Sequence, residues 1–200
     1  RGVTRIDTSV AAAPTWLGAL GMPGMTAWFG LLDVGRLAEG DTVLVSGAAG
    51  AVGSVVGQVA KARGCRVVGV AGGPDKCAWL REIGFGEAIA YKAENPLRRL
   101  REVAPRGVDV FFDNVGGEIL DHALGALNRY GRVVCCGRIA EYLKPAGESY
   151  RLRNWHMIGK QRARMQGFFI YDLAEHFPRA ERQMAQWIAD GRMHYLEDVL

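Results

Sequence analysis

Gly47, Gly50 and Gly53 follow the apolar, β-branched run Thr42–Val45 at three-residue spacing, and a helical apolar face of Val52, Val55, Val56 and Val59 begins at once. A strand, a glycine turn and a helix in that order present unpaired backbone N–H groups and the positive end of a helix dipole. The chemistry this suits is binding of a pyrophosphate. Gly50 lets the backbone approach the phosphates, and Gly53 lets the helix pack close to the strand. The spacing departs from G-x-G-x-x-G because Ala48 stands where the first glycine belongs. Glycines also cluster in ordinary turns, so the pattern points to a nucleotide only through its flanking strand and helix.

The next strand end says which nucleotide. A carboxylate about 20 residues past the glycines would grip a ribose 2′-hydroxyl and select NAD. Here the position reads Ala71-Gly72-Gly73-Pro74, with no acid. Gly72 and its neighbours leave room for a 2′-phosphate, with Lys76 as its counter-charge and Tyr91 and Lys92 on the same adenine side. NADP(H) is therefore favoured over NAD. Asp75 serves the dipole of the helix it begins, and the alternative for Lys76 is a solvated helix lysine. The missing acid also argues against a methyltransferase.

Other site chemistries find little support. Cys65, Cys77, Cys135 and Cys136 form no C-x-x-C pair and no metal-like spacing, and read as buried or inert thiols of a reducing cytoplasm. The histidines at 122, 156, 176 and 194 are scattered. A net charge of +4 is too mild to argue for nucleic acid. No apolar run reaches the roughly 18 residues of a membrane span, and no signal sequence opens the chain.

The elements that must position these residues alternate between strand and helix. Strands are predicted at Thr42–Val45, Arg66–Ala71, Ala88–Tyr91, Val108–Asp113, Gly131–Gly137 and Met165–Ile170. Helices are predicted from Thr26, at Val52–Arg63, at Pro74–Ile83, from Pro96 through Val103, around Leu120–Leu127, near Leu152–Ile158, and along the stripe from Leu173 to Ile188. This alternation specifies an α/β fold, a doubly wound parallel six-stranded Rossmann sheet in the order 3-2-1-4-5-6. Its 200 residues, 49% hydrophobic, suffice for one domain with a sizeable core. Both ends read as cut.

Four stretches, Gly21-Met-Pro-Gly-Met-Thr-Ala-Trp-Phe-Gly-Leu-Leu32, Ala48-Ala-Gly-Ala-Val-Gly-Ser54, Asp113-Asn-Val-Gly-Gly117 and Cys136-Gly-Arg-Ile-Ala-Glu-Tyr142, resemble the medium-chain dehydrogenase/reductase superfamily. The closer resemblance is to its zinc-independent, NADPH-dependent double-bond reductases. It implies the nucleotide domain of a longer two-domain enzyme that reduces the C=C bond of α,β-unsaturated ketones or aldehydes. Residues 1–37 then connect from a substrate domain, 38–191 form the NADP-binding domain, and 192–200 begin the return. Residue by residue, Ala51, Val52, Gly53 and Ser54 would hold the pyrophosphate and Asn114 would line the groove. Cys136, Gly137, Ile139, Phe168, Phe169 and Ile170 would flank the nicotinamide. Tyr142 matches the tyrosine near the substrate carbonyl and is the catalytic candidate.

The chain departs from the family pattern at Trp28, often tyrosine, and at Arg138, often small. Zinc-dependent members carry a ligand cysteine where this chain reads Leu20-Gly-Met-Pro-Gly-Met25, so no metal is expected. The resemblance further suggests a homodimer, with the edge of the sixth strand as a candidate contact. A quinone reductase of the same superfamily and a nucleotide-binding module without chemistry are the alternatives.

Overall fold

A computed structural model describes residues 5–145 and 147–197. Six parallel strands form one sheet: β1 Thr42–Ser46, β2 Arg66–Ala71, β3 Glu87–Ala90, β4 Val108–Asp113, β5 Leu127–Cys135 and β6 Arg164–Gly167. Their order is β3-β2-β1-β4-β5-β6, as the alternation of elements requires. β1 lies at the centre, pairing Val45 with Gly69 of β2 and with Phe112 of β4.

Successive side chains of a strand point to opposite faces, so β1 feeds two cores. Val43 and Val45 pack with α1 (Met22–Phe29), α2 (Ala51–Ala62), α3 (Pro74–Glu82) and α7 (Phe177–Ala189). Leu44 packs on the other face, with α4 (Pro96–Val103) and α5 (Gly117–Gly125). A four-residue helix, α6, spans Met157–Lys160. No helix among the described residues is long and apolar enough to cross a membrane.

Several boundaries differ from the sequence reading, each for a local reason. α1 starts at Met22 rather than Thr26 because Pro23 sits in its first turn, where a missing N–H costs nothing. The helix continues as a π turn over Gly30–Val34. β5 starts at Leu127, before a register shift opposite Val108 and Val110. The short helix lies at Met157–Lys160, later than Leu152–Ile158.

The sixth strand is the largest departure. It covers Arg164–Gly167 only, and Ile170 already belongs to a 3-10 helix, Ile170–His176. Ile170 is buried in the core, which pulls the chain out of the sheet. The outer edge is therefore short and mostly polar, not the flat apolar edge that Met165–Ile170 suggested.

Candidate nucleotide site

The carboxyl ends of β1 and β4 are tied together beneath the glycine turn. Ser46 Oγ donates to Asp113 Oδ1 at 2.8 Å and accepts from the Asn114 N–H at 2.9 Å. Asn114 Nδ2 donates to the Ser46 carbonyl at 2.8 Å. The same Asp113 oxygen accepts the N–H groups of Val115 (3.0 Å) and Gly116 (2.9 Å). The Asp113 carbonyl accepts from Cys136 and Gly137, which brings β5 into the knot. Gly116 stands at φ 71°, a conformation that a side chain would strain.

Burial pushes the Asp113 carboxyl above the ordinary aspartate range, against the pull of Gly116 N–H, Val115 N–H and the Ser46 hydroxyl. Burial, with Asp113 nearby, pushes the Cys135 and Cys136 thiols up to about 11. Both are protonated at neutral pH, which suits packing better than nucleophilic chemistry.

Above this knot runs an open groove of about 640 Å³. Gly50, Ala51, Val52 and Gly53 line its middle, where no side chain caps the first turn of α2. Those first-turn N–H groups have no intrahelical acceptor and are available to an anion. A methyl group on Gly53 would stand 2.4 Å from the Gly47 carbonyl oxygen and 2.7 Å from Ala48 Cα, so only glycine permits this approach of helix to turn. The backbone cradle therefore fits a pyrophosphate.

One end of the groove is basic. Gly72, Lys76, Tyr91 and Lys92 line it, and no carboxylate is among the lining residues. A methyl on Gly72 would meet Lys92 Cε and Tyr91 Cε1 only at 3.8 Å, so that end stays open. The other end is formed by Asn114, Val115, Ile139 and Ala140. Beyond it lies Tyr142, 60% exposed, whose hydroxyl accepts the Arg138 N–H at 3.3 Å and would stand 3.4 Å from a methyl on Gly137.

Thus the groove gathers Gly50, Ala51, Val52, Gly53, Gly72, Lys76, Tyr91, Asn114 and Ile139, with Cys136, Gly137 and Tyr142 adjoining through the Asp113 knot and the following turn. The remaining candidates stand apart from its lining. Ser54 is buried, its carbonyl accepting Gln58 Nε2 at 3.1 Å. Phe168 packs on the core beside Gly30 and Phe112, and Ile170 is within that core. Phe169 is 63% exposed and tilts against Tyr171. Sequence reasoning missed Ser46 and Asp113 as the floor of the site, and Val70 and Val115 as its walls. Their place at the carboxyl ends of strands was the available signal. Among the described residues no group of three or more His, Cys, Asp or Glu could hold a metal ion.

Comparison with known proteins gives the family. The family described as zinc-binding dehydrogenase matches residues 51–190. Prostaglandin reductase 1 of Bos taurus is 45% identical over 185 residues, covering 92% of this chain and 56% of the relative. The NADPH-dependent curcumin reductase of Escherichia coli (strain K12) is 40% identical over 193 residues, covering 93% and 56%. The crystal structure of CurA from Vibrio vulnificus in complex with NADPH superposes with a TM-score of 0.85 at 40% identity, covering 93% of this chain and 57% of that one. The chain thus spans little more than half the length of the relatives it matches. With the sheet order, the glycine turn and these matches together, the chain belongs to the zinc-binding dehydrogenase family, in the medium-chain branch that holds the prostaglandin and curcumin reductases.

Proposed function

We propose that the protein carrying this domain is an NADPH-dependent reductase of the carbon–carbon double bond of α,β-unsaturated ketones or aldehydes. NADP(H) is the cofactor of the groove. The observation that carries the reading is the groove's polarity: free helix N–H groups at its middle, Lys76 and Lys92 without a carboxylate at one end, and a tyrosine hydroxyl beyond the other.

When bound, the nicotinamide would supply a hydride for the β-carbon of the substrate, and the α-carbon of the resulting enolate would take its proton from water or tyrosine. The chain's own residues then have three tasks. The first turn of α2 holds the pyrophosphate, and Lys76 with Tyr91 and Lys92 meets the 2′-phosphate. Tyr142 donates to the carbonyl oxygen, where negative charge develops as the β-carbon is reduced. Because its oxygen already accepts the Arg138 N–H, its own proton is free to be donated. Loss of one such donor costs about 10²–10³ in rate.

The stretch Leu20–Met25 offers no cysteine for a catalytic zinc. In this reading residues 1–37 and 192–200 connect to a substrate domain, with 38–191 as the nucleotide domain; residues 1–4 and 198–200 lie outside those described. The unpaired thiols fit a reducing cytoplasm. A homodimer would use the exposed side chains of Phe169 and Tyr171 just beyond the short, mostly polar β6, with Met165 within it, and molar mass in solution by light scattering decides it.

The test of the reaction is turnover in the full-length protein. Oxidation of NADPH with a simple enone, reduced about 100-fold or more by Tyr142→Phe, supports the reading. Turnover of quinones but not enones would move the protein to quinone reduction. Unchanged enone turnover in Tyr142→Phe would remove the tyrosine from the chemistry.

A further inference from the structure

Tyr142 has a positioning problem. Tyr142 is 60% exposed and the next residue, Leu143, is 97% exposed, so no core holds the side chain in place. What holds the segment lies on α5. Asp121 is 2% exposed, contributes nothing to the sheet or the groove lining, and directs its whole carboxylate at the irregular stretch after Tyr142. Asp121 Oδ1 accepts the backbone N–H groups of Arg153 and Asn154, both at 2.8 Å. Asp121 Oδ2 accepts the Tyr150 hydroxyl at 3.3 Å, and the Asp121 carbonyl accepts Asn154 Nδ2 at 3.0 Å.

Tyr150 is held at both ends. Its hydroxyl also accepts Arg153 Nη2 at 2.9 Å, and its backbone N–H donates to Glu141 Oε2 at 3.1 Å. Glu141 is the residue before Tyr142, and its side chain is only 7% exposed. Its other oxygen accepts Lys144 Nζ at 2.8 Å and would stand 3.2 Å from a methyl on Gly117, at the start of α5. The Glu141 N–H donates to the Arg138 carbonyl, closing the turn whose Arg138 N–H reaches the Tyr142 hydroxyl. One continuous set of bonds therefore runs from Asp121 through Tyr150 and Glu141 to the backbone of Tyr142.

We propose that Asp121 is a positioning residue for Tyr142, acting through Tyr150 and Glu141, an assignment that rests on the enone-reductase reading above. Burying a carboxylate is costly unless its lone pairs are filled. Asp121 fills them with two backbone N–H groups and a hydroxyl of the segment that returns from Tyr142, which fixes the far end of that segment to a rigid helix. Glu141 fixes the near end. Small misplacements of a reacting group are enough to slow chemistry about 10²-fold.

The experiment is a double-mutant cycle in the full-length protein with NADPH and a simple enone, combining Asp121→Ala or Tyr150→Phe with Tyr142→Phe. The expected result is a kcat about 10- to 100-fold lower for Asp121→Ala, with NADPH affinity little changed, and no further loss when Tyr142→Phe is already present. Tyr150→Phe, which cuts only the hydroxyl link, shows a smaller loss with the same dependence on Tyr142. Equal losses in both backgrounds, or a parallel loss of NADPH affinity, overturn the proposal. If Asp121→Ala does not fold, Tyr150→Phe decides by the same criterion. If Tyr142→Phe alone leaves turnover unchanged, the reading of Tyr142 fails first, and the role of Asp121 falls with it.

Discussion

Replacing Gly53 by alanine perturbs the nucleotide site at its tightest point. The new methyl would meet the Gly47 carbonyl oxygen at 2.4 Å and Ala48 Cα at 2.7 Å, both backbone atoms of the phosphate turn. Relief to ordinary van der Waals contact requires α2 and the turn to separate by about 1 Å, because neither contact is the end of a flexible side chain. Overpacking of this kind costs about 1–3 kcal/mol, partly offset by up to about 1 kcal/mol of better helix propensity. The displacement also moves the first-turn N–H groups away from the phosphates, so NADPH affinity is expected to fall about 10- to 100-fold.

Gly50→Ala is the internal control, its methyl standing 3.2 Å from the Gly47 carbonyl and asking for only a few tenths of an ångström. Gly72→Ala has no contact nearer than 3.8 Å and is expected to be structurally silent. Urea unfolding measures the stability term, and NADPH fluorescence titration measures the binding term. The predicted order of damage to stability is Gly53, then Gly50, then Gly72. A Gly53→Ala protein that is as stable as wild type and binds NADPH equally well would refute the close-approach argument.

Further predictions follow from the floor and the basic end of the groove. Because burial raises the Asp113 carboxyl above its unfolded value of 3.8, its contribution to stability is fully present below that pH and is lost as pH rises through the folded value. Asp113→Asn keeps the Oδ1 acceptor and should flatten the pH dependence of unfolding above pH 4, whereas an unchanged slope would contradict the assignment. Asp113→Ala strands the Ser46 hydroxyl and two N–H groups and should cost about 3 kcal/mol or more in urea unfolding. Cys135 and Cys136, with thiols pushed up to about 11, should resist iodoacetamide at pH 8 in the folded state and react once unfolded. Rapid labelling of the native protein would count against the raised thiols. Lys76→Ala should weaken NADPH about 10-fold or more and leave NADH unaffected, as removal of one charge-assisted contact to the 2′-phosphate.

How much of this was legible in the sequence depended on whether the signal was local. β2 and β4 match the strands read from Arg66–Ala71 and Val108–Asp113, because buried parallel strands write their apolar runs in consecutive residues. The glycine turn was legible because strand, glycines and helix adjoin. Pro23 misled, since a proline reads as a break until one sees that it occupies the first turn of α1. Phe168, Phe169 and Ile170 also misled: an apolar run looks like a strand, but Ile170 is drawn into the core and the chain turns into a 3-10 helix. The Ser46–Asp113 bond joins residues 67 apart, and the bonds from Asp121 to the Arg153 and Asn154 N–H groups span 32 and 33. No periodicity records such pairings: strand ends mark where a floor forms, but only the fold shows that Ser46 meets Asp113 and what supports Tyr142.

The claim on which the rest depends is that Gly72, Lys76, Tyr91 and Lys92 form a 2′-phosphate end. Parallel titration of the protein with NADPH and NADH tests it most directly. NADPH is predicted to bind at least about 10-fold more tightly, the worth of one charge-assisted contact. Equal affinities, or a preference for NADH, would contradict it.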